Sequence, residues 1–456
     1  MMNKTLKNTT KSISILLITI CFWICKITPG QAEAAEWPAE PEINAASAIL
    51  IEASTGNVIY DKEAKSQRYP ASTTKLMTSL LAIENCDLSE TVVMSRNAIK
   101  SISYDASNVG AMIGEELSME DCLYAVLLAS ANEVAYAVAE HVGNGDCDAF
   151  IDMMNSRAKE LGCVNTHFSN PHGLHEEDHY SCANDLALIM RQCIQYQTFR
   201  KISNNKNHTL PVTNKRSEQV IPQTHKILRG RIICEGVFAG KTGFTDQAGS
   251  CLVTAAERNG MTLICVVLGE KKDADGYTDT AVLFDYGFQN FEVMEISKKQ
   301  ESKNAFPALF PDDEAFVEKT YANLTIEDTT AVLPAEADFE DITTECRLTQ
   351  LPELVKGDNV IGEVDFYYGG KEVAKSDIIL KSDEDKVIDL AEVYYREYKD
   401  TDLFDERTYL IYKGELVVEE PEKPDMRPAL IGYGLGTVFC LIILIILVRI
   451  YSITKR

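Results

Sequence analysis

Ser72 and Lys75 stand three residues apart in Pro70-Ala71-Ser72-Thr73-Thr74-Lys75, at the head of a segment, Ser72 to Ile83, whose apolar residues have helical spacing. On a helix that spacing puts hydroxyl and amine on one face, one turn apart. A serine becomes a nucleophile when a neighbour takes its proton. A lysine one turn away can do so once burial or a nearby positive charge lowers its amine from the reference pKa of about 10.4. The pair alone is a weak signal, because Ser156/Lys159 and Ser203/Lys206 have the same spacing and a serine at a helix start serves equally as an N-cap. Two further segments add to it. Ser130-Ala131-Asn132 closes an apolar helical run 58 residues after Ser72, and Lys241-Thr242-Gly243 follows another 111 residues on. Ser95/Asn97 and Ser203/Asn205 also spell S-x-N, so order, spacing and context carry the weight of the set.

The elements that must position these groups alternate between strands and helices. Ala46 to Ala53 and Asn57 to Tyr60, separated by Ser54-Thr55-Gly56, read as a hairpin. Gly249 to Ala256 and Met261 to Leu268 read as a second one around Arg258-Asn259-Gly260, Asn-Gly being the strongest short hairpin signal. Lys241-Thr242-Gly243 lies directly ahead of that hairpin and is expected on an edge strand. Between the strands lie helical patterns at Ser72 to Ile83, Ser118 to Ala129, Phe150 to Leu161 and Ser181 to Ile194, with Ser118 and Asp121 resembling a capping box. Helices enclosed by strands from both ends predict an α/β domain over 45–295, one sheet of sequence-distant pieces with helices packed on it. From 296 to 385 short alternating runs joined by Gly369-Gly370 predict a mostly β domain, and 386–427 reads as a charged stalk.

Lys4, Lys7 and Lys11, an apolar run from Ile13 to Cys25 and Ala32-Glu33-Ala34-Ala35 make 1–35 a signal peptide; the run is short for a retained membrane helix. Ala429 to Val448 is uncharged over about 20 residues, long enough to span a bilayer, and predicts a transmembrane helix at 428–449. Arg449, Lys455 and Arg456 then put the tail 450–456 in the cytoplasm and the remainder outside the cell membrane. The net charge of −25 argues against nucleic acid as a partner. Of thirteen cysteines, most sit in apolar periodic runs without C-x-x-C pairing, and mostly free thiols are expected.

The ordered set S-x-x-K, S-x-N and K-T-G resembles the penicillin-recognising serine enzymes. Tyr69 to Thr78, Asn170-Pro171-His172-Gly173-Leu174 and Gly240 to Thr245 with Ala248-Gly249 are similar to the low-molecular-mass D-alanyl-D-alanine carboxypeptidases, serine peptidase family S11. The resemblance covers roughly Ala46 to Glu292 and, more weakly, the β domain. It implies a β-lactamase/transpeptidase-like antiparallel sheet with helices packed on it, followed by the β domain. It also implies a peptidoglycan stem peptide ending in D-Ala-D-Ala as substrate, β-lactams as covalent inhibitors, and neither cofactor nor metal. By resemblance, Ser72 attacks, Lys75 accepts its proton and Ser130 relays it; Asn132, Lys241, Thr242 and Gly243 hold the substrate, and Ser72 and Phe244 supply the oxyanion N–H groups. The chain departs from the family after the second serine, where Ala131-Asn132-Glu133-Val134 replaces the usual Gly-Asn-Asp-Ala, and no E-x-x-L-N segment for deacylation is seen.

Rival readings stay in view. His167, His172, His175, Glu176, Asp178 and His179 form a dense ligand cluster, but no H-E-x-x-H helix is present and Pro171 and Gly173 break the segment into loops. A non-catalytic penicillin-binding sensor, a D,D-endopeptidase and a β-lactamase share the motifs.

Overall fold

The computed structural model describes residues 37–103, 105–297, 324–348 and 357–382. The chain divides into two compact units, Met1–Lys299 with Asp328–Thr344 and Asp365–Ala374, and Gln300–Glu327 with Glu345–Val364 and Lys375–Arg456. The first holds the residues singled out above. It opens with the expected hairpin, β1 (Ser47–Glu52) and β2 (Val58–Lys62). One 3-10 turn, Ala71–Thr74, then runs into α1 (Lys75–Asn85). A small ribbon of β3 (Thr91–Val93) and β4 (Glu116–Ser118) brackets α2 (Arg96–Lys100). The helical block continues with α3 (Met119–Leu128), α4 (Asn132–Val142), α5 (Cys147–Glu160), α6 (Ala183–Cys193) and α7 (Gln197–Ser203). After the ribbon β5 (Asn207–Leu210) and β6 (Gln219–Pro222) come β7 (Val237–Thr245), β8 (Gly249–Arg258), β9 (Met261–Glu270), α8 (Asp273–Asn290) and β10 (Phe291–Glu295).

The main sheet has the order β2-β1-β9-β8-β7 and is antiparallel throughout. It joins distant sequence, with Leu50 opposite Cys265, and leaves β7 on an edge. Both faces are covered. Ile49, Ile51, Ile264 and Val266 pack into the core shared with the helical block, while Leu50, Cys265 and Val267 meet Leu283 and Phe284 of α8 on the other side. Burial on both faces is why these strands read as nearly continuous apolar runs. Asn259 and Gly260, at φ 51° and 84°, both occupy the left-handed region that a two-residue hairpin turn demands.

Several boundaries differ from those expected. Ser118 does cap α3, accepting from the Asp121 N–H at 3.1 Å. Ser130-Ala131-Asn132 lies at the end of α3 as expected, but it is also a break, because Asn132 opens a further helix, α4, that was not expected. The α6 cap is Cys182 rather than Ser181. Strand β12 (Thr330–Pro334), expected in the 296–385 domain, instead pairs with β10 from Phe291↔Pro334 to Glu295↔Thr330 and belongs to the first unit. The polar stretch after 297 marks a linker in composition but not the limit of strand pairing.

A separate four-stranded sheet, in the order β11-β15-β14-β13, uses β11 (Leu324–Ile326), β13 (Ile342–Leu348), β14 (Gly357–Tyr368) and β15 (Lys371–Ser382), which agrees with a mostly β C-terminal part. The expected signal peptide, stalk, membrane span and tail lie outside the described residues. Among the described residues no helix is long and apolar enough to cross a membrane.

Candidate active site

The turn carrying Ser72 is held from several directions. Ala71 sits at φ 47°, a conformation non-glycine residues avoid and that persists where surrounding contacts impose it. The hydroxyls of Thr73 and Thr74 donate back to Pro70 O at 2.7 Å and Ala71 O at 2.8 Å, and Thr74 Oγ1 also meets His179 Nε2 at 2.8 Å. Gly173 packs beneath: at φ 82°, any Cβ there would lie 1.9 Å from Ala71 O, so only glycine lets this loop support the turn. No side chain caps the turn or α1, which removes the N-cap role for Ser72. Its Oγ accepts instead from Lys75 Nζ at 2.9 Å.

Ser130 is also at positive φ, 59°, where the chain breaks between α3 and α4. Lys241, on β7, points to the face of the sheet that carries the helices, and its Nζ donates to Ser130 Oγ at 3.0 Å and to Thr242 O at 2.8 Å. Gly243 lets the strand approach the nucleophile, because a Cβ there would stand 2.9 Å from Ser72 N and 3.0 Å from Pro70 O. Phe244 is next on the strand, at the rim and 66% exposed.

Lys75 is the hub. Besides Ser72 Oγ, its Nζ donates to Asn132 Oδ1 and to His172 O, both at 2.6 Å. A neutral amine has two N–H bonds and one lone pair. The Asn132 and His172 oxygens accept the two hydrogens, which leaves the lone pair for the Ser72 hydroxyl. The charged form is disfavoured first by complete burial and then by Lys241, which hold Lys75 well below the usual amine range against the opposing pull of Glu133. Burial also lowers Lys241, to about 7. The rings of His172 and His179 are each pushed down to about 3, chiefly by burial, and stay neutral near pH 7.

The structure therefore brings Ser72, Lys75 and Asn132 into one hydrogen-bonded group and Ser130 with Lys241 into a second, close enough that Lys241 acts electrostatically on Lys75. Gly243 lies against the first, and Thr242 meets Thr224 Oγ1 at 3.2 Å. Sequence reasoning assigned no role to Gly173, Thr224 or Glu133, and weighed His172 and His179 only as members of the rival ligand cluster. Asn170 to Leu174 carried only the resemblance, although its Pro and Gly already marked an ordered loop. The His167 to His179 segment does not converge on a metal. His179 Nδ1 accepts from Ser169 N at 3.0 Å, His167 Nδ1 meets Asp178 O at 2.7 Å, and His175 packs edge-on to Tyr69. The one group of metal-type ligands among the described residues is Cys86, Glu90 and His141, and the 2.8 Å pair of His141 Nε2 with Glu90 Oε2 accounts for its proximity. The nine cysteines whose side chains are described are free.

A serine bonded to a buried lysine, beside a second serine and lysine on a sheet edge, defines a serine acyl-transfer enzyme of the penicillin-recognising type. A family model for D-alanyl-D-alanine carboxypeptidase, peptidase S11, matches residues 34–272, a little over half of the chain, and the chain belongs to that family. It is 28% identical over 347 residues to D-alanyl-D-alanine carboxypeptidase DacF of Bacillus subtilis, covering 75% of this chain and 86% of that protein. The carboxypeptidase of Streptomyces strain K15 is 30% identical over 258 residues, 55% of this chain and 89% of that protein. Among solved structures, the Streptomyces K15 DD-transpeptidase aligns with a TM-score of 0.52 at 29% identity, over 55% of this chain and 99% of that one. Penicillin binding protein 5 of Haemophilus influenzae aligns with a TM-score of 0.60 at 25% identity, over 76% and 98%. The carboxypeptidase DacD of Francisella tularensis, at 23% identity and a TM-score of 0.60, supports the fold.

Proposed function

We propose that this chain is a serine-type D-alanyl-D-alanine carboxypeptidase that removes the terminal D-alanine of peptidoglycan stem peptides and is acylated by β-lactams. The observation that carries this reading is Lys75 Nζ at 2.9 Å from Ser72 Oγ, with Asn132 Oδ1 and His172 O placed to accept both hydrogens of the neutral amine. Ser72 Oγ attacks the carbonyl carbon of the penultimate D-alanine as its proton passes to Lys75. The tetrahedral oxyanion is held by the N–H groups of Ser72 and Phe244. Ser130, bonded to Lys241, passes a proton to the departing amine as the C–N bond breaks, leaving an ester on Ser72. Water then cleaves the ester and regenerates the hydroxyl. Asn132 holds the peptide backbone, and Lys241 with Thr242 binds the terminal carboxylate. The edge position of β7 lets the substrate lie beside it as an added strand.

The sequence pattern of a signal peptide over 1–35 and the apolar stretch at 428–449 support attachment to the cell membrane, with this domain on the extracytoplasmic side. The test is incubation of the protein with a labelled β-lactam and, separately, with a pentapeptide ending in D-Ala-D-Ala. One covalent adduct and released D-alanine are expected, both lost in Ser72→Ala. Labelling that survives in Ser72→Ala would overturn the assignment, and labelling without D-alanine release would favour a sensor.

A further inference from the structure

Two amines of the site, Lys75 and Lys241, are both fully buried. Like charges in a low-dielectric site oppose one another, and a buried ion is tolerated when an opposite charge faces it. One buried carboxylate, Glu133, acts on Lys75 without touching it, from the residue next to Asn132, whose Oδ1 accepts from Lys75 Nζ. Glu133 follows Asn132 in the first turn of α4 and is 3% exposed. Its Oε1 accepts from Val109 N at 2.7 Å and Ala111 N at 3.4 Å, whereas Oε2 is buried with no hydrogen-bond partner among the described residues. Asn132 N donates to Ser107 O at 2.9 Å, so adjacent residues of α4 hold both ends of the segment 107–111. Burial raises the Glu133 carboxyl, opposed by the backbone N–H groups it accepts from and then by Lys75, and Glu133 in turn favours the charged form of Lys75. The other groups that act on Lys75 or feel it are Lys241 on β7 and the His172 and His179 rings.

We infer that Glu133 is the counter-ion of Lys75 and a positioning residue for acylation, its charge balancing the amine that takes the Ser72 proton and its Oε1 fixing the segment Val109–Ala111 against α4. The inference rests on the reading of Lys75 as proton acceptor. When the proton leaves Ser72 Oγ for Lys75 Nζ, a second cation forms beside Lys241, and a carboxylate at Glu133 offsets the cost of that step. Position 133 is also where the chain departs from the usual Asp-Ala of its family, so the longer Glu side chain carries the charge here.

The test compares acylation rates of full-length wild type, Glu133→Gln and Glu133→Asp with a fluorescent penicillin as a function of pH. Gln keeps an acceptor for Val109 N but removes the charge. Its plateau rate is expected to fall by about tenfold or more, and the acid limb, set by Lys75, to move to lower pH by roughly one unit. Asp keeps the charge and is expected to retain the wild-type limb. A merely structural role would change rate or stability without moving the limb, so overlapping limbs for Gln and wild type overturn the inference. If the Gln variant does not fold, Glu133→Leu, close in volume and needing no partner for its buried end, carries the same comparison. Absence of Ser72 acylation in the wild type would instead overturn the proposed function itself.

Discussion

Replacing Gly243 by alanine places one methyl group where β7 meets the nucleophile turn. Its Cβ would lie 2.9 Å from Ser72 N, 3.0 Å from Pro70 O and 3.1 Å from Ala71 Cβ. Two of these atoms are backbone, in a turn already tied by Thr73 and Thr74, so relief must come from a shift of strand or turn by roughly half an ångström. Such overpacking costs about 1–3 kcal/mol of stability. The same shift separates the N–H groups of Ser72 and Phe244, whose joint alignment on the oxyanion is worth about 10²- to 10³-fold for a single donor. Since the donors are displaced rather than removed, the acylation rate is expected to fall by about 10- to 100-fold. The assay is stopped-flow acylation by a chromogenic cephalosporin, with intact mass measurement and thermal unfolding in parallel. Gly260→Ala is the control: nothing lies within 4 Å of its Cβ, yet its φ of 84° makes alanine strained. That variant is expected to lose about 1 kcal/mol of stability and no acylation rate. Acylation of Gly243→Ala within about threefold of wild type would refute the claim that this glycine makes room for the oxyanion donors.

Two further outcomes are expected. Burial holds Lys241 at about 7, so it is cationic below that pH and loses its proton above it; affinity for a carboxylate-terminated pentapeptide should weaken as pH rises through this value, seen as a rising KM that flattens in Lys241→Met. A KM independent of pH in the wild type would refute this role. Burial pushes all nine described thiols upward, but only Cys86, Cys147 and Cys234 are partly exposed, so among the described cysteines iodoacetamide should label the native protein slowly and at those three alone, as read by peptide mass mapping.

Much of the cluster was legible because its residues sit where local structure changes, and such places carry turn residues and helix starts. Pro70 and the threonines announced the Ser72 turn, and Asn259-Gly260 fixed the hairpin whose register sets β7 at the edge. What remained hidden depends on long-range contact. Helix α4 has no start signal, its N-cap being Ala131 with no side-chain bond, and its first residues, Asn132 and Glu133, look like exposed polar residues in sequence yet are buried. Helix α8 contains Gly276 and Gly287, which weaken a helical reading. Gly287 is there because Leu50 and Leu263 of the sheet leave no room for a Cβ. The carbonyl of His172 could not be found from side-chain chemistry at all, since a backbone oxygen has no signature in composition.

The pairing of β12 with β10 bears on how the enzyme can be shortened. A fragment ending at Glu295 would retain every motif and the whole region matched by the family model, yet it would strip a five-residue strand from its neighbour. The bared edge of β10 would then offer unpaired N–H and C=O groups to another copy, an invitation to edge-to-edge aggregation. Ala331, Val332 and Leu333 are almost wholly buried, so the loss would also uncover apolar surface. A soluble catalytic fragment should therefore extend at least through Pro334.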